Sequence, residues 1–399
     1  MKGSLHMKRL FGVSLISTML ILGQPFIAFA DTNVTTDATG SRTLNFEDIG
    51  SIIAEHNIDV QINENDRLKS GVGYAKLKRS IKDLENELDD NNSQWNAHPD
   101  QAITLGAERR ALLDALKQAK NGVVDQPIAE ALIDLQASMD DASQVRSAEN
   151  KFIRYNQLKL DLADSSMNID NLNDQLVAMQ LRESLGMVSH NTLNGLETSL
   201  AGMQTKLANT NFEQDSIVRQ LKNLFNDQES SLVIGSIPST NEDFQIKDKE
   251  ADLKMALENS YIIKIQEQQI VLLQTALDRA KKDHGMSSND YKKADYDLTN
   301  ANLKLAQLKD ALKTDYYTML DDISKMQSDL RLAEQNLEDA KVTFSEAQVK
   351  MGLGMISQLE MDSATSAYQA QENAVKTKQI TLFNAKCSYD WFLNGMPRG

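Results

Sequence analysis

The sequence predicts an all-α protein built from two tandem repeats of long antiparallel coiled-coil helices. Three observations carry that expectation. Proline is absent between Pro127 and Pro238 and again between Pro238 and Pro397, intervals several times longer than an ordinary helix. Apolar residues in the second half keep the three-and-four spacing of a heptad seam. A glycine-centred break occurs twice, 168 residues apart, with matching neighbours.

Composition supports long helices over packed sheets. The 399 residues include only 5 prolines and 18 glycines, aromatics are 6%, and Ala, Leu, Gln, Asn, Asp, Glu and Lys dominate, a mixture typical of coiled coils. The amino terminus has a secretory layout. Lys8 and Arg9 precede a mostly apolar stretch, and Ala28-Phe29-Ala30 supplies small residues before a cleavage point at Asp31. Residues 1–30 are therefore expected to be a signal peptide, with 1–6, ahead of the second methionine Met7, a scar or alternative start. Removing them takes away three positive charges and no acid, shifting the formal net charge from −15 to −18. Such a surface disfavours nucleic acid, whose binding needs positive charge. It reads either as a solvated acidic exterior or as the lining of a cation-favouring passage. The single cysteine, Cys387, rules out an intramolecular disulfide. No stretch after residue 30 approaches the roughly 20 apolar residues of a membrane span.

The chain is expected to begin, after a flexible 31–45, with a first repeat over 46–229. Its arms are read at about 46–90, 128–184 and 191–226, with 91–127 a polar insert holding a short helix near 103–120. A linker, 230–242, leads to a second repeat over 243–395 with arms at about 243–283, 289–351 and 358–393, and 396–399 is a tail. The seam is clearest in the 289–351 arm, where Ile323, Met326, Leu330, Ala333, Leu337, Ala340, Phe344, Ala347 and Met351 alternate by three and four. The Ala positions let neighbouring helices approach closely. His284-Gly285-Met286-Ser287-Ser288-Asn289 reads as a turn, glycine supplying positive φ and Ser or Asn the next cap.

The repeat shows in the breaks themselves. Leu185-Gly186-Met187-Val188-Ser189 matches Leu353-Gly354-Met355-Ile356-Ser357. Carried on without a gap, the same offset places Leu221 on Tyr389 and Leu224 on Phe392. In each break the glycine permits positive φ and opens backbone groups to a partner, and the serine caps the outgoing helix.

With these residues in view, the chain resembles the TolC-type outer membrane efflux family, whose members carry two repeats with a Gly-x-x-Ser/Thr turn between long helices. The two turns, the stretch 333–395, and the segments Ala54-Glu55-His56-Asn57 and Ala256-Leu257-Glu258-Asn259 carry the resemblance. It implies a homotrimeric α-barrel duct for a small molecule or peptide. It also implies docking of the turn tips to a membrane fusion (adaptor) protein of an ABC-type or similar inner pump. Leu185, Gly186, Met187, Ser189, Leu353, Gly354, Met355 and Ser357 would form the docking tips, and Glu360 an entrance ring whose first-repeat counterpart is Thr192. Where the family often gates with Tyr and Arg, Met351 and Ile356 stand here, so the usual ionic gate is not expected. The barrel strands expected between the first and second arms of each repeat are also missing. That departure fits an exported duct outside the cytoplasmic membrane of a single-membrane cell; an outer membrane would need its barrel supplied some other way.

No catalytic residue, cofactor or metal ligand is expected. The histidines His6, His56, His98, His190 and His284 are scattered, and Cys387 lacks a histidine nearby. The alternative function is an exported scaffolding coiled coil that kept the fold without transport. A pump adaptor ranks last, because it would carry one hairpin between β-rich flanks.

Overall fold

The structure, a computed structural model, describes residues 41–229, 231–238 and 244–398. The expected signal peptide lies outside them. Two strands and eight α-helices follow in order, with single 3-10 turns at Phe46–Asp48 and Pro99–Gln101: β1 (Ser41–Leu44), α1 (Ile49–His56), α2 (Ile58–Ala97), α3 (Ala102–Ser184), α4 (His190–Leu224), β2 (Ser231–Ile234), α5 (Lys249–Asn259), α6 (Tyr261–His284), α7 (Asn289–Gly352) and α8 (Gln358–Leu393). The all-α class holds, with one addition: β1 and β2 pair in parallel, Ser41 opposite Ser231 and Leu44 opposite Ile234. The sequence placed these strands in a flexible start and a linker. A four-residue apolar run does not declare itself a strand until its distant partner is known.

The chain forms two compact units. The first comprises Ile62–Ser138 and Lys264–Leu305; the second comprises the described residues up to Gln61, Met139–Ile263 and the chain from Ala306 onward. The units cut across the repeats, each drawing helices from both.

In the first unit, polar contacts join successive helices. Lys120 of α3 meets Glu85 of α2 at 2.8 Å, Arg279 of α6 grips both carboxylate oxygens of Asp125 at 2.5 and 2.6 Å, and Gln266 donates to the Ala301 carbonyl of α7 at 3.0 Å. The stretch 91–127, read from sequence as an insert between arms, is helix on both sides of a short break before Ala102. Asn91 ties that break by donating to the Leu105 carbonyl at 3.2 Å, and Gly106 lets the Trp95 ring approach so closely that a Cβ there would sit 3.0 Å from it. The helix then runs straight through Pro127. An interior proline costs about 3 kcal/mol in a lost bond and a clash, so the sequence placed a boundary there. Burial of Gln126, Ala129 and Glu130 around it holds the neighbouring turns in place.

The second unit holds the main cores, and each repeat builds one in the same way. In the first repeat, Ile49, Ile52 and Ile53 of α1 pack with Phe152 of α3, Leu221 of α4 and the two strand residues Leu44 and Ile234. In the second, Ala256 of α5 packs with Tyr316, Leu320 and Ile323 of α7 and Tyr389 and Phe392 of α8. A third cluster, Ile153 with Ile380 and Phe383, joins the repeats, and Cys387 lies against it. Burial pushes that thiol up to about 12, as befits a packed rather than a reactive cysteine.

The first arm of each repeat is broken where sequence reading ran it on. α1 stops at Asn57, whose Oδ1 accepts from the Asp59 and Val60 amides and so starts α2. α5 stops at Ser260, whose Oγ accepts from the Ile263 amide.

Candidate functional site: the paired helix-turn tips

Each long hairpin closes through a turn whose geometry follows from its glycine. At Gly186, φ is +71°, its amide bonds the Glu183 carbonyl at 2.8 Å and the Met187 amide reaches back to Arg182 at 2.9 Å. At Gly354, φ is +67°, its amide bonds Met351 at 2.9 Å and the Met355 amide bonds Lys350 at 2.8 Å. Both are Schellman motifs, in which a left-handed residue satisfies carbonyls left open at a helix end. Every one of these bonds recurs at the 168-residue offset.

The outgoing helices start alike but not identically. Ser189 caps α4 by accepting from the Thr192 amide, and Ser357 caps α8 by accepting from the Glu360 amide. Only the second is a full capping box: Glu360 Oε2 accepts from the Ser357 amide at 2.7 Å and from its hydroxyl at 2.8 Å. These bonds, the backbone one foremost, hold the Glu360 carboxyl below its usual range. The carboxylate expected in an entrance ring is thus engaged locally at the helix start. The first turn is braced differently, by His190 Nδ1 against Glu183 Oε1 at 2.8 Å. Gln358 and Met351 occupy those places in the second turn.

The two turns share one end of the second unit. Ser366 of α8 bonds Asn171 of α3 at 3.1 Å, and Asn373 bonds Asp164. That antiparallel register carries Gly354 to within a turn of Gly186. Both tips present unpacked apolar side chains, with Leu185 65%, Met187 69%, Leu353 69% and Met355 69% exposed. Sequence reading missed that the patch extends up the incoming helices, through exposed Val177 and Leu181 on α3 and Val342 and Val349 on α7. Their helical spacing into each turn was the available signal.

At the far end of each hairpin, the structure adds residues the sequence did not single out. Asn57 donates to the Leu224 carbonyl at 2.8 Å and Asn259 to the Leu393 carbonyl at 2.9 Å. The left-handed residues that end α4 and α8 are Asn226 and Gly395. The offset here is 169, not 168, because α8 holds 36 residues and α4 35. The gap-free alignment therefore fails within the last arm: the equivalent of Leu224 is Leu393.

Among the described residues, no helix is long and apolar enough to cross a membrane. No three His, Cys, Asp or Glu side chains among them converge to hold a metal.

This arrangement, two equivalent long hairpins with short starting helices and glycine turns at one end, is the protomer fold of TolC-type outer membrane channels. No protein-family model matches the sequence, and no curated protein does. Solved structures do. The outer-membrane channel OprN is similar over 94% of this chain and 99% of its own, with a TM-score of 0.60 and 11% identity. The open-state MtrE outer membrane channel of Neisseria gonorrhoeae matches over 96% and 99%, at 0.58 and 9%. The CmeC outer membrane channel of Campylobacter jejuni matches over 95% of both chains, at 0.55 and 9%. At such identities the likeness is one of fold.

Proposed function

We propose that the chain is an exported duct component that assembles as a homotrimer and docks through its turn tips to a membrane fusion adaptor of an energised pump. The observation that carries this reading is the pair of repeat-equivalent turns at one end, each displaying an exposed leucine and methionine around a left-handed glycine. A monomer gains nothing by leaving these side chains in water, and mobile methionines suit a surface that repacks against a partner. Three chains would bring six such tips together. The duct supplies passage only; energy for transport comes from the pump, and a small molecule or peptide passes unchanged.

A second reading, an exported scaffolding coiled coil, draws support from the short connections at 98–101 and 285–288, where the family resemblance calls for barrel strands. One experiment separates the two. A photo-crosslinking residue at Leu185 or Leu353 in cells captures a membrane fusion protein if the tips dock. Capture of no such protein from either position, with the variants exported normally, supports the scaffold.

A further inference from the structure

The second unit contains a cavity that the turn tips do not use. It measures ≈ 1040 Å³ and lies where the segment leading into α5 crosses α7 and α8. The segment is pinned there: Gln327 donates to the Phe244 carbonyl at 2.6 Å, and the Phe244 ring meets Tyr389 edge-on at 5.5 Å. Leu320, Ile323 and Phe383, all buried, supply an apolar floor. Lys249, Arg331 and Lys386 stand around the lining against a single acid, Glu334.

That charge runs against the rest of the molecule. In a chain of formal net charge −15 this lining is locally basic: among the described residues neither Lys249 nor Arg331 forms an ion pair, and Lys386 has only Asp390, on its own helix, within electrostatic reach. Arg331 makes only a long 3.4 Å bond to its own helix at the Gln327 carbonyl. Its fork of donors is free to take a carboxylate, sulfonate or phosphate edge-on.

We propose that this cavity is a binding site for a small organic anion with a flat apolar body. The body lies on Leu320, Ile323 and Phe383, and the anionic group meets Arg331 and Lys386, with Lys249 completing the field. The volume is of the order found for drug-sized ligand sites, about 300–1,000 Å³. The cations set specificity: like-sized neutral or cationic compounds gain only the apolar contact, and a cation meets repulsion as well. The site stands apart from the docking reading and neither depends on the other.

Calorimetric titration of the mature chain with 2-naphthalenesulfonate and with neutral 2-naphthalenemethanol tests it. The sulfonate is expected to bind one per chain, about tenfold or more tighter than the alcohol, and to weaken as salt rises. The double variant R331Q/K386Q loses about tenfold for the sulfonate and leaves the alcohol unchanged. Lys350→Gln at the remote turn changes neither. Ser324→Trp, which fills the cavity, removes both. Matching thermal melts by circular dichroism establish that the variants fold. Equal binding of sulfonate and alcohol, unchanged sulfonate affinity in R331Q/K386Q, or no sulfonate binding at all overturns the proposal.

Discussion

Asn259 donates its side-chain amide to the Leu393 carbonyl at 2.9 Å, tying the break after the first short helix of the second repeat to the last residue of its final helix. Asn57 makes the same bond to Leu224 in the first repeat. The two asparagines differ in one respect. Asn57 also caps the following helix with its Oδ1, whereas in the second repeat Ser260 has taken over that cap. Removing the amide leaves a helix-end carbonyl without its partner, at a cost of about 1–3 kcal/mol. Asn57→Ala loses a cap as well, worth about 1 kcal/mol more. Urea unfolding should therefore rank Asn57→Ala below Asn259→Ala, and both below the parent. Equal midpoints for the two variants would contradict the division of labour.

Gly395 tests the other side of that junction. Its φ is +98°, and a Cβ there would lie 2.3 Å from the Asn259 carbonyl oxygen. Gly395→Ala is expected to be among the most damaging single substitutions, because backbone must move to relieve it. Gly354→Ala has the same kind of φ but open space around it, and should cost only about 1–2 kcal/mol from the conformation itself. Asn226→Gly, which relieves a non-glycine residue at φ 49°, should stabilise slightly. Thermal melts of the three variants check the order.

The two tips should respond differently to serine removal. Ser189→Ala removes contacts to the Thr192 amide and hydroxyl, and Ser357→Ala removes contacts to the Glu360 amide and carboxylate; the charge-assisted bond is the stronger, so fraying of α8 should exceed that of α4, as read by amide hydrogen exchange. The folded Glu360 carboxyl is held low, so its contribution is present above the ordinary carboxylate range. It is lost as pH falls through the depressed folded value. Protection at the start of α8, taken relative to the intrinsic exchange rate at each pH, should fall on acidification in the parent and stay flat in Glu360→Gln.

Glu130 gives the opposite sign. It is 2% exposed, accepts from Gln126 at 2.7 Å and leaves Oε2 without a hydrogen-bond partner. Burial pushes its carboxyl from 4.5 up to about 7. An acid raised in the folded state contributes most at low pH. The unfolded chain ionises first, so stability declines from pH 4.5 and levels off above 7. Unfolding midpoints at pH 5 and pH 8 should differ more in the parent than in Glu130→Gln. An identical difference in both would rule out this carboxyl as a source.

The long helices, the two glycine turns and their serine caps were legible in the sequence because helical periodicity and left-handed glycine are local signals. Position 127 misled, since tertiary burial outweighed a local proline penalty. The breaks at Asn57 and Ser260 carry neither glycine nor proline, and an asparagine cap reads as an ordinary polar helix residue. The β1–β2 pair was hidden because each strand is meaningful only beside a partner far along the chain. The one-residue slip in offset was hidden because heptad-like apolar residues align plausibly at several registers; the hydrogen bonds at Leu224 and Leu393 resolve it.

The proposed duct requires these hairpins to assemble laterally into a shared wall. Size-exclusion chromatography with light scattering on the mature chain, over a wide concentration range, tests it most directly. A species of three times the chain mass that persists or grows in as concentration rises is expected. A strict monomer at the highest concentration would contradict it.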